Sequence, residues 1–176
     1  ESKGEKVMKK LIACLFGLIL PISSAFADLD QCRNMIDMTA SNIDLGHYIS
    51  SAGVYSESVN NFLYRPYIPV QPNTTYTLSW GNSELYYISI SEYTTADDAG
   101  FVIRNTGTTG GNYKLTITTG AETHYVRFGS NPYGNSNTVT LEQVTAFDWQ
   151  LEQGDTPTAY TPYDASCHTT TTTCAN

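Results

Sequence analysis

The chain has 176 residues, of which 9 are basic and 17 acidic, giving a formal net charge of −8. This excess of acid excludes nucleic acid as a partner, because affinity for nucleic acid comes chiefly from Lys and Arg side chains that neutralise phosphates. Anionic membrane surfaces are disfavoured for the same reason. The length suits one domain with a single core, and the abundance of Thr, Tyr, Ser, Asn and Gly favours strands and tight turns.

Residues 8–27 are predicted to be an export signal. The positive segment Met8–Lys10 precedes an apolar run over Leu11–Ile22, and small residues permit cleavage after Ala27. The run is too short to cross a bilayer as a helix, which takes about 20 residues. We therefore expect no integral membrane segment after cleavage and a product in the periplasm, at the surface or outside the cell. Residues 1–7 are interpreted as translated upstream sequence.

Cleavage changes both the charge and the cysteine count. It removes four Lys and two Glu, leaving 5 basic and 15 acidic residues and a net charge of −10. The cysteines that remain are Cys32, Cys167 and Cys174, and a pair of them is expected to bridge in an oxidising compartment. Cys32 with Cys167 would tie the termini together, whereas Cys167 with Cys174 would close a small loop. The odd third cysteine indicates a truncated tail over 165–176.

The hydrophobic pattern has a period of two almost throughout, which is typical of strands. Strands are predicted at 76–80, 86–91, 101–103, 113–118, 124–128, 139–141 and 147–152. Phe62–Val70 contains two prolines and is predicted to be an edge strand or an extended approach. No helix longer than a turn or two is expected. Short strands between regular turns favour an all-β sandwich or barrel, here over 43–164 after a lead-in at 28–42.

No catalytic motif is recognised. The histidines His47, His124 and His168 are far apart, and His124 shares the parity of apolar strand residues, which predicts a half-buried structural role. The chain lacks a Gly-x-Ser-x-Gly elbow, a His-Glu-x-x-His motif and a phosphate loop. With 15 acids scattered along it, some pair would reach glycosidase spacing by chance. We predict that the protein is not an enzyme and holds no cofactor.

Three fragments, read together, resemble a known family: Tyr67–Leu78, Tyr125–Phe128, and Trp149–Gly154 continuing through Thr158–Tyr163. In this order and spacing they are similar to the galactose-binding-like jelly-roll modules grouped with the carbohydrate-binding accessory domains of bacterial glycanases. The likeness spans Ile43–Tyr163. It implies a jelly-roll β-sandwich of two antiparallel sheets and a carbohydrate ligand. The family's usual calcium-building opening motif is not evident in this chain.

A sugar site needs an aromatic platform beside a few directed polar groups, and the chain has 13 Tyr and 2 Trp. The candidate ligand-binding residues are Tyr87, Tyr125, Arg127 and Gln150 on strand faces turned from the core, Asn131 and Tyr133 in a loop, and Trp80 at a strand end. The alternatives are a solvated sheet face, where Tyr and Thr fit anyway, and a core position for Trp80. If calcium binds, Asp148 and Glu152 are its candidate ligands.

These observations predict an exported, non-catalytic module that binds a carbohydrate or glycoconjugate. It would belong to a larger bacterial extracellular or surface protein. Its expected partners are a polysaccharide or glycan and the other domains of the same polypeptide. The alternative is a structural or adhesive spacer domain with no sugar site.

Overall fold

The structure is a computed structural model that describes residues 33–81, 87–107, 113–134 and 137–168. Its described part consists mainly of nine strands. The strands are β1 (Ile43–Ile49), β2 (Tyr55–Tyr64), β3 (Ile68–Pro69), β4 (Thr75–Ser79), β5 (Tyr87–Tyr93), β6 (Phe101–Gly107), β7 (Lys114–Thr118), β8 (Tyr125–Asn131) and β9 (Gln150–Gln153). A short helix, α1 (Leu141–Thr145), and 3₁₀ turns at Ala40–Asn42, Asp98–Gly100 and Ala165–His168 complete it.

The strands form two antiparallel sheets. The larger has the order β1-β2-β8-β5-β6, with β3 also paired to β8, and the smaller has the order β7-β4-β9. This confirms the predicted all-β sandwich of two antiparallel sheets. The finer assignment as a jelly roll stays a prediction.

The main core lies between the two sheets. Alternate residues of the strands point into it, as the period of two predicts. The rings of Phe62 and Phe128, from the larger sheet, lie with their centroids 5.4 and 5.3 Å from that of Trp149, which precedes β9. Burying each such side chain stabilises the fold by about 1.5–3 kcal/mol. The aromatic cluster therefore joins the sheets at the centre of the molecule.

A side-chain hydrogen-bond network fixes the lead-in segment to the last strand. Asn34 is 1 % exposed, and its amide nitrogen donates to the carbonyls of Trp149, at 2.9 Å, and Thr161, at 3.1 Å. Its side-chain oxygen accepts from the backbone amides of Ile36 and Leu151. One buried amide thus fastens both ends of the described chain to β9, and an unmade bond there would cost about 1–3 kcal/mol.

The far end of the β1–β2 hairpin lies over the outer face of the larger sheet. The register between β1 and β2 shifts at Gly46, which has φ +79°. Beyond this bend, Arg104 of β6 donates to the carbonyl of Ile49 at 2.6 Å. The buried side chains of Ile49, Leu63 and Tyr93 lie outside the main core cluster. They give the outer face a small apolar layer of its own, so that face is partly covered by the chain itself.

Two strand predictions are wrong in detail. The alternation over 139–141 predicts the opening of a strand, but α1 begins at Leu141 because Thr140 and Gln143 form a reciprocal capping box, each side chain bonding the other's backbone amide. His124 is exposed and lies before β8, not half-buried within it.

The expectation for Phe62–Val70 is partly wrong. Phe62 and Leu63 pair with β1 on one side and β8 on the other, so they lie inside the sheet. The prolines fall after β2 ends. Pro69 belongs to β3, whose described pairing is with β8 alone, which is where a strand proline is tolerated.

The disulfide pairing can be tested. Cys167 is disulfide-bonded, while both candidate partners, Cys32 and Cys174, lie outside the described residues. The Nε2 atom of His168 is 3.2 Å from the carbonyl oxygen of Asn34, and two residues span at most about 7 Å. We therefore expect Cys32 to be the partner. Peptide mapping without reductant should recover the Cys32–Cys167 pair, and reduction should lower stability by about 2–4 kcal/mol. A Cys167–Cys174 peptide would contradict this.

Candidate functional site

The residues predicted to form one platform lie on different sheets. Tyr87, Tyr125 and Arg127 belong to the larger sheet, whereas Gln150 is on β9 of the smaller one. Tyr87 pairs with Asn131 at one end of the β5–β8 ladder, and Tyr125 pairs with Tyr93 at the other. Six residues along a strand span about 20 Å. The four-residue platform is therefore wrong, because Gln150 belongs to the other sheet and Tyr87 and Tyr125 lie at opposite ends of the β5–β8 ladder.

Gln150 is a structural residue. It is 1 % exposed, and its amide nitrogen donates to Glu152 at 2.8 Å. Its side-chain oxygen accepts from the backbone amide of Thr161 at 2.8 Å. Gln150 does face away from the main core, as predicted, but it is closed off from a ligand because the segment after β9 folds back over it.

The candidate calcium ligands are left without support. Both oxygens of Glu152 accept hydrogen bonds from Thr158, and Asp148 is an exposed residue with φ +45°. Within 33–81, 87–107, 113–134 and 137–168, no group of three or more His, Cys, Asp or Glu side chains could hold a metal ion.

Three further candidates fall at separate places. Trp80 is 5 % exposed and its ring centroid lies 5.9 Å from that of Trp149, so it is a core residue. Asn131 is 7 % exposed, and its side-chain oxygen is buried without a hydrogen-bond partner among the described residues. Tyr133 is exposed beside Phe147, with ring centroids 6.3 Å apart. None of the three lines the pocket described below.

Arg127 is buried and holds other side chains in place. It is 6 % exposed, although it lies on the sheet face turned from the main core. Its Nε donates to the carbonyl of Tyr64 at 3.2 Å, and its Nη1 donates to Asp98 at 3.0 Å and to the hydroxyl of Tyr67 at 3.3 Å. The guanidinium carbon lies 4.7 Å from the centre of the Tyr67 ring, a cation–π contact. Arg127 thus fixes Tyr67 instead of facing a ligand.

An aromatic pocket that the sequence did not indicate lies next to this network. It has a volume of about 330 Å³, and the side chains that matter for its chemistry are Asp37, Asn42, Tyr64, Tyr67, Tyr163 and His168. We call it the aromatic pocket. Its residues come from the lead-in, the end of β2, the β2–β3 link and the segment after β9. It is a polar, aromatic-rich cavity at one end of the sandwich.

The pocket walls are held rigidly. The rings of Tyr163 and His168 stack with centroids 4.8 Å apart and planes 1° apart. The hydroxyl of Tyr64 accepts from the backbone amide of Asp37 at 3.1 Å, and Asn42 donates to the carbonyl of Asp37 at 2.9 Å. Tyr67 donates to Asp98 at 2.5 Å. Flat apolar surfaces and hydrogen-bonding groups are therefore fixed before any ligand arrives.

Tyr64 and Tyr67 stay protonated well above neutral pH. Burial is the main cause that raises the pKa of Tyr64 to about 12. Burial, then the hydrogen bond to Asp98, also raises the pKa of Tyr67. Both hydroxyls are therefore neutral under physiological conditions.

Sequence reasoning missed the pocket because its parts are far apart along the chain. His168 approaches Asn34 across 134 positions, and periodicity carries no information on such a contact. One available signal was the repeated spacing of Tyr64 and Tyr67, and of Tyr160 and Tyr163, each around a proline. Tyr67 and Tyr163 also lie in the fragments that carry the family resemblance.

Comparisons with protein-family models, curated proteins and solved structures give no match to this chain. The family resemblance therefore remains a prediction. In the part of the chain that the structure describes, no helix is long and apolar enough to span a bilayer.

The buried tyrosines predict a loss of stability in alkali. Tyr64 ionises near pH 10 when unfolded and near pH 12 when folded, because burial raises its pKa. Between these values only the unfolded chain releases the proton, so the stability present below pH 10 is lost as the pH rises towards 12. Urea unfolding at stepped pH should show this fall, and Tyr64→Phe should make it shallower. An identical slope in both proteins would contradict the assignment.

The Arg127–Asp98 pair can be tested by removing its exposed partner. Asp98→Ala leaves a buried guanidinium without its carboxylate and should destabilise the fold by about 1–3 kcal/mol in urea unfolding. Asp98→Asn keeps an acceptor and should lose less. The control is Asp155→Ala, which removes an exposed carboxylate that accepts from the adjacent Thr156. Equal effects of Asp98→Ala and Asp155→Ala would show that Arg127 does not depend on Asp98.

Proposed function

We propose that this protein is an exported, non-catalytic module that binds a carbohydrate or glycoconjugate in the aromatic pocket. The observation that carries the proposal is the convergence of three tyrosine rings and a histidine ring with Asp37 and Asn42 in one cavity. It would serve as one module of a larger bacterial extracellular or surface protein.

The chemistry of the pocket suits a pyranose. A sugar ring has apolar C–H faces that pack on aromatic rings and hydroxyls that need directed partners. The stacked pair of Tyr163 and His168 offers an aromatic surface. Asp37 and Asn42 offer side-chain oxygens beside it, and the neutral Tyr64 hydroxyl, which accepts from the Asp37 backbone amide, has a proton to donate.

Binding is favoured over hydrolysis by the count of acids. Glycoside hydrolysis requires two carboxyl groups flanking the scissile bond, about 5–10 Å apart. Among the described residues that line the pocket, Asp37 is the one carboxylate. One carboxylate can accept a hydrogen bond from a sugar hydroxyl. It cannot serve both as the general acid and as the nucleophile or base that hydrolysis also requires.

Export is supported by two features. Residues 8–27 carry the pattern of a signal peptide. Cys167 is disulfide-bonded, and structural disulfides persist mainly in oxidising compartments.

Substitution of Tyr163 tests the proposal. In affinity electrophoresis through galactan, xylan, mannan and β-glucan, the exported protein should be retarded by at least one polymer. Tyr163→Ala removes one ring of the stacked pair and should weaken that binding by about tenfold or more. The control is Tyr133→Ala, an exposed tyrosine at a separate cleft.

Circular dichroism of both variants separates loss of binding from loss of fold. Retardation by no polymer would overturn the proposal and favour the spacer domain. Equal weakening by Tyr133→Ala would move the site away from the aromatic pocket.

A further inference from the structure

The aromatic pocket opens into a longer depression. A second cleft of about 550 Å³ shares Met35 and Pro69 with it. A third, of about 460 Å³, shares Pro69 with both and shares Val70 and Gln71 with the second. Pro69 is exposed, on the two-residue strand β3. The three cavities therefore adjoin around β3, and a ligand longer than one ring has a path between them.

The second cleft, which we call the Glu152 cleft, contains a buried and fixed carboxylate. Glu152 is 3 % exposed. Its Oε1 accepts from the side chain of Gln150 and the backbone amide of Thr158, each at 2.8 Å, and its Oε2 accepts from the Thr158 hydroxyl at 2.8 Å. A carboxylate oxygen has about two acceptor positions, so Oε2 can take one more donor. A ligand hydroxyl there would form a charge-assisted hydrogen bond, about twice as strong as a neutral one.

The charge of the surroundings selects against anionic ligands. Asp37 lines the aromatic pocket, and Glu152 lines the cleft together with Arg33. The nearby cation Arg127 is already paired with Asp98. After cleavage of the signal the chain would carry a net charge of −10. A neutral ligand rich in hydroxyls fits the depression that these adjoining cavities form, whereas a polyanion would be repelled.

We infer that the site takes a neutral glycan chain of several sugar units, which runs from the aromatic pocket over Pro69 into the Glu152 cleft. This inference rests on the proposed function. One ring packs against Tyr163, and a later unit places a hydroxyl on Glu152. Affinity then rises with chain length, because each added unit meets further surface without a new loss of translational freedom.

Chain length and a blocking variant test the inference. Isothermal titration is carried out with glucose, xylose, mannose and galactose, with their β-linked tetrasaccharides and hexasaccharides, and with polygalacturonate as the anionic probe. Thr156→Trp fills the Glu152 cleft from an exposed position without touching the aromatic pocket. Its control is Thr145→Trp, an exposed threonine that lines none of the three cavities.

We expect the affinity of the unmodified protein for one sugar series to rise by about tenfold or more from monomer to hexasaccharide. Thr156→Trp should abolish that rise, and Thr145→Trp should keep it. Equal affinity for monomer and hexasaccharide, or a rise that survives Thr156→Trp, would overturn the inference and leave the proposed function standing. Tighter binding of polygalacturonate than of every neutral chain would also overturn it. Binding of no glycan of any length would instead refute the proposed function itself.

Discussion

The buried cation Arg127 is the constraint around which this end of the molecule is arranged. An unpaired guanidinium at such depth would be strongly unfavourable. Asp98 supplies the compensating charge, the carbonyl of Tyr64 supplies an acceptor, and Tyr67 covers the guanidinium with its ring. Each of these partners comes from a different part of the chain. The contacts of Arg127 therefore bring together the end of β2, the β2–β3 link and the turn at Asp98–Gly100, next to the aromatic pocket.

A second polar network, on the smaller sheet, holds the wall of the Glu152 cleft. Gln150 and Glu152 are buried and bond to one another and to the segment at Thr158 and Thr161. Without partners, polar groups at such positions would destabilise the fold, and the hydrogen bonds that they make hold this wall in place. Polar contacts thus hold the walls of both the aromatic pocket and the Glu152 cleft. Fixed walls of this kind suit the proposed binding of hydroxyl groups, since hydrogen bonds depend on direction.

The fold followed from the sequence to the extent that it rests on local pattern. Alternating apolar residues predicted the strands at 76–80, 86–91 and 113–118, because pleating sends every second side chain to the core. Where a local hydrogen bond competed, as in the capping box of Thr140 and Gln143, the alternation misled. The site could not be predicted in this way. Arg127 has the parity of a surface residue, and only the tertiary contacts with Tyr67 and Asp98 show that it is buried.

Tyr64 connects the aromatic pocket to the main core. Its ring stacks on Phe128 in the main core with centroids 5.0 Å apart, while its hydroxyl lies in the pocket wall. The same side chain thus belongs both to the core and to the wall of the aromatic pocket. Any molecule that occupies the pocket of the folded chain alone raises the melting temperature by mass action. A thermal-shift screen can therefore find ligands of any chemical class, since it detects the stabilised fold and not a particular functional group.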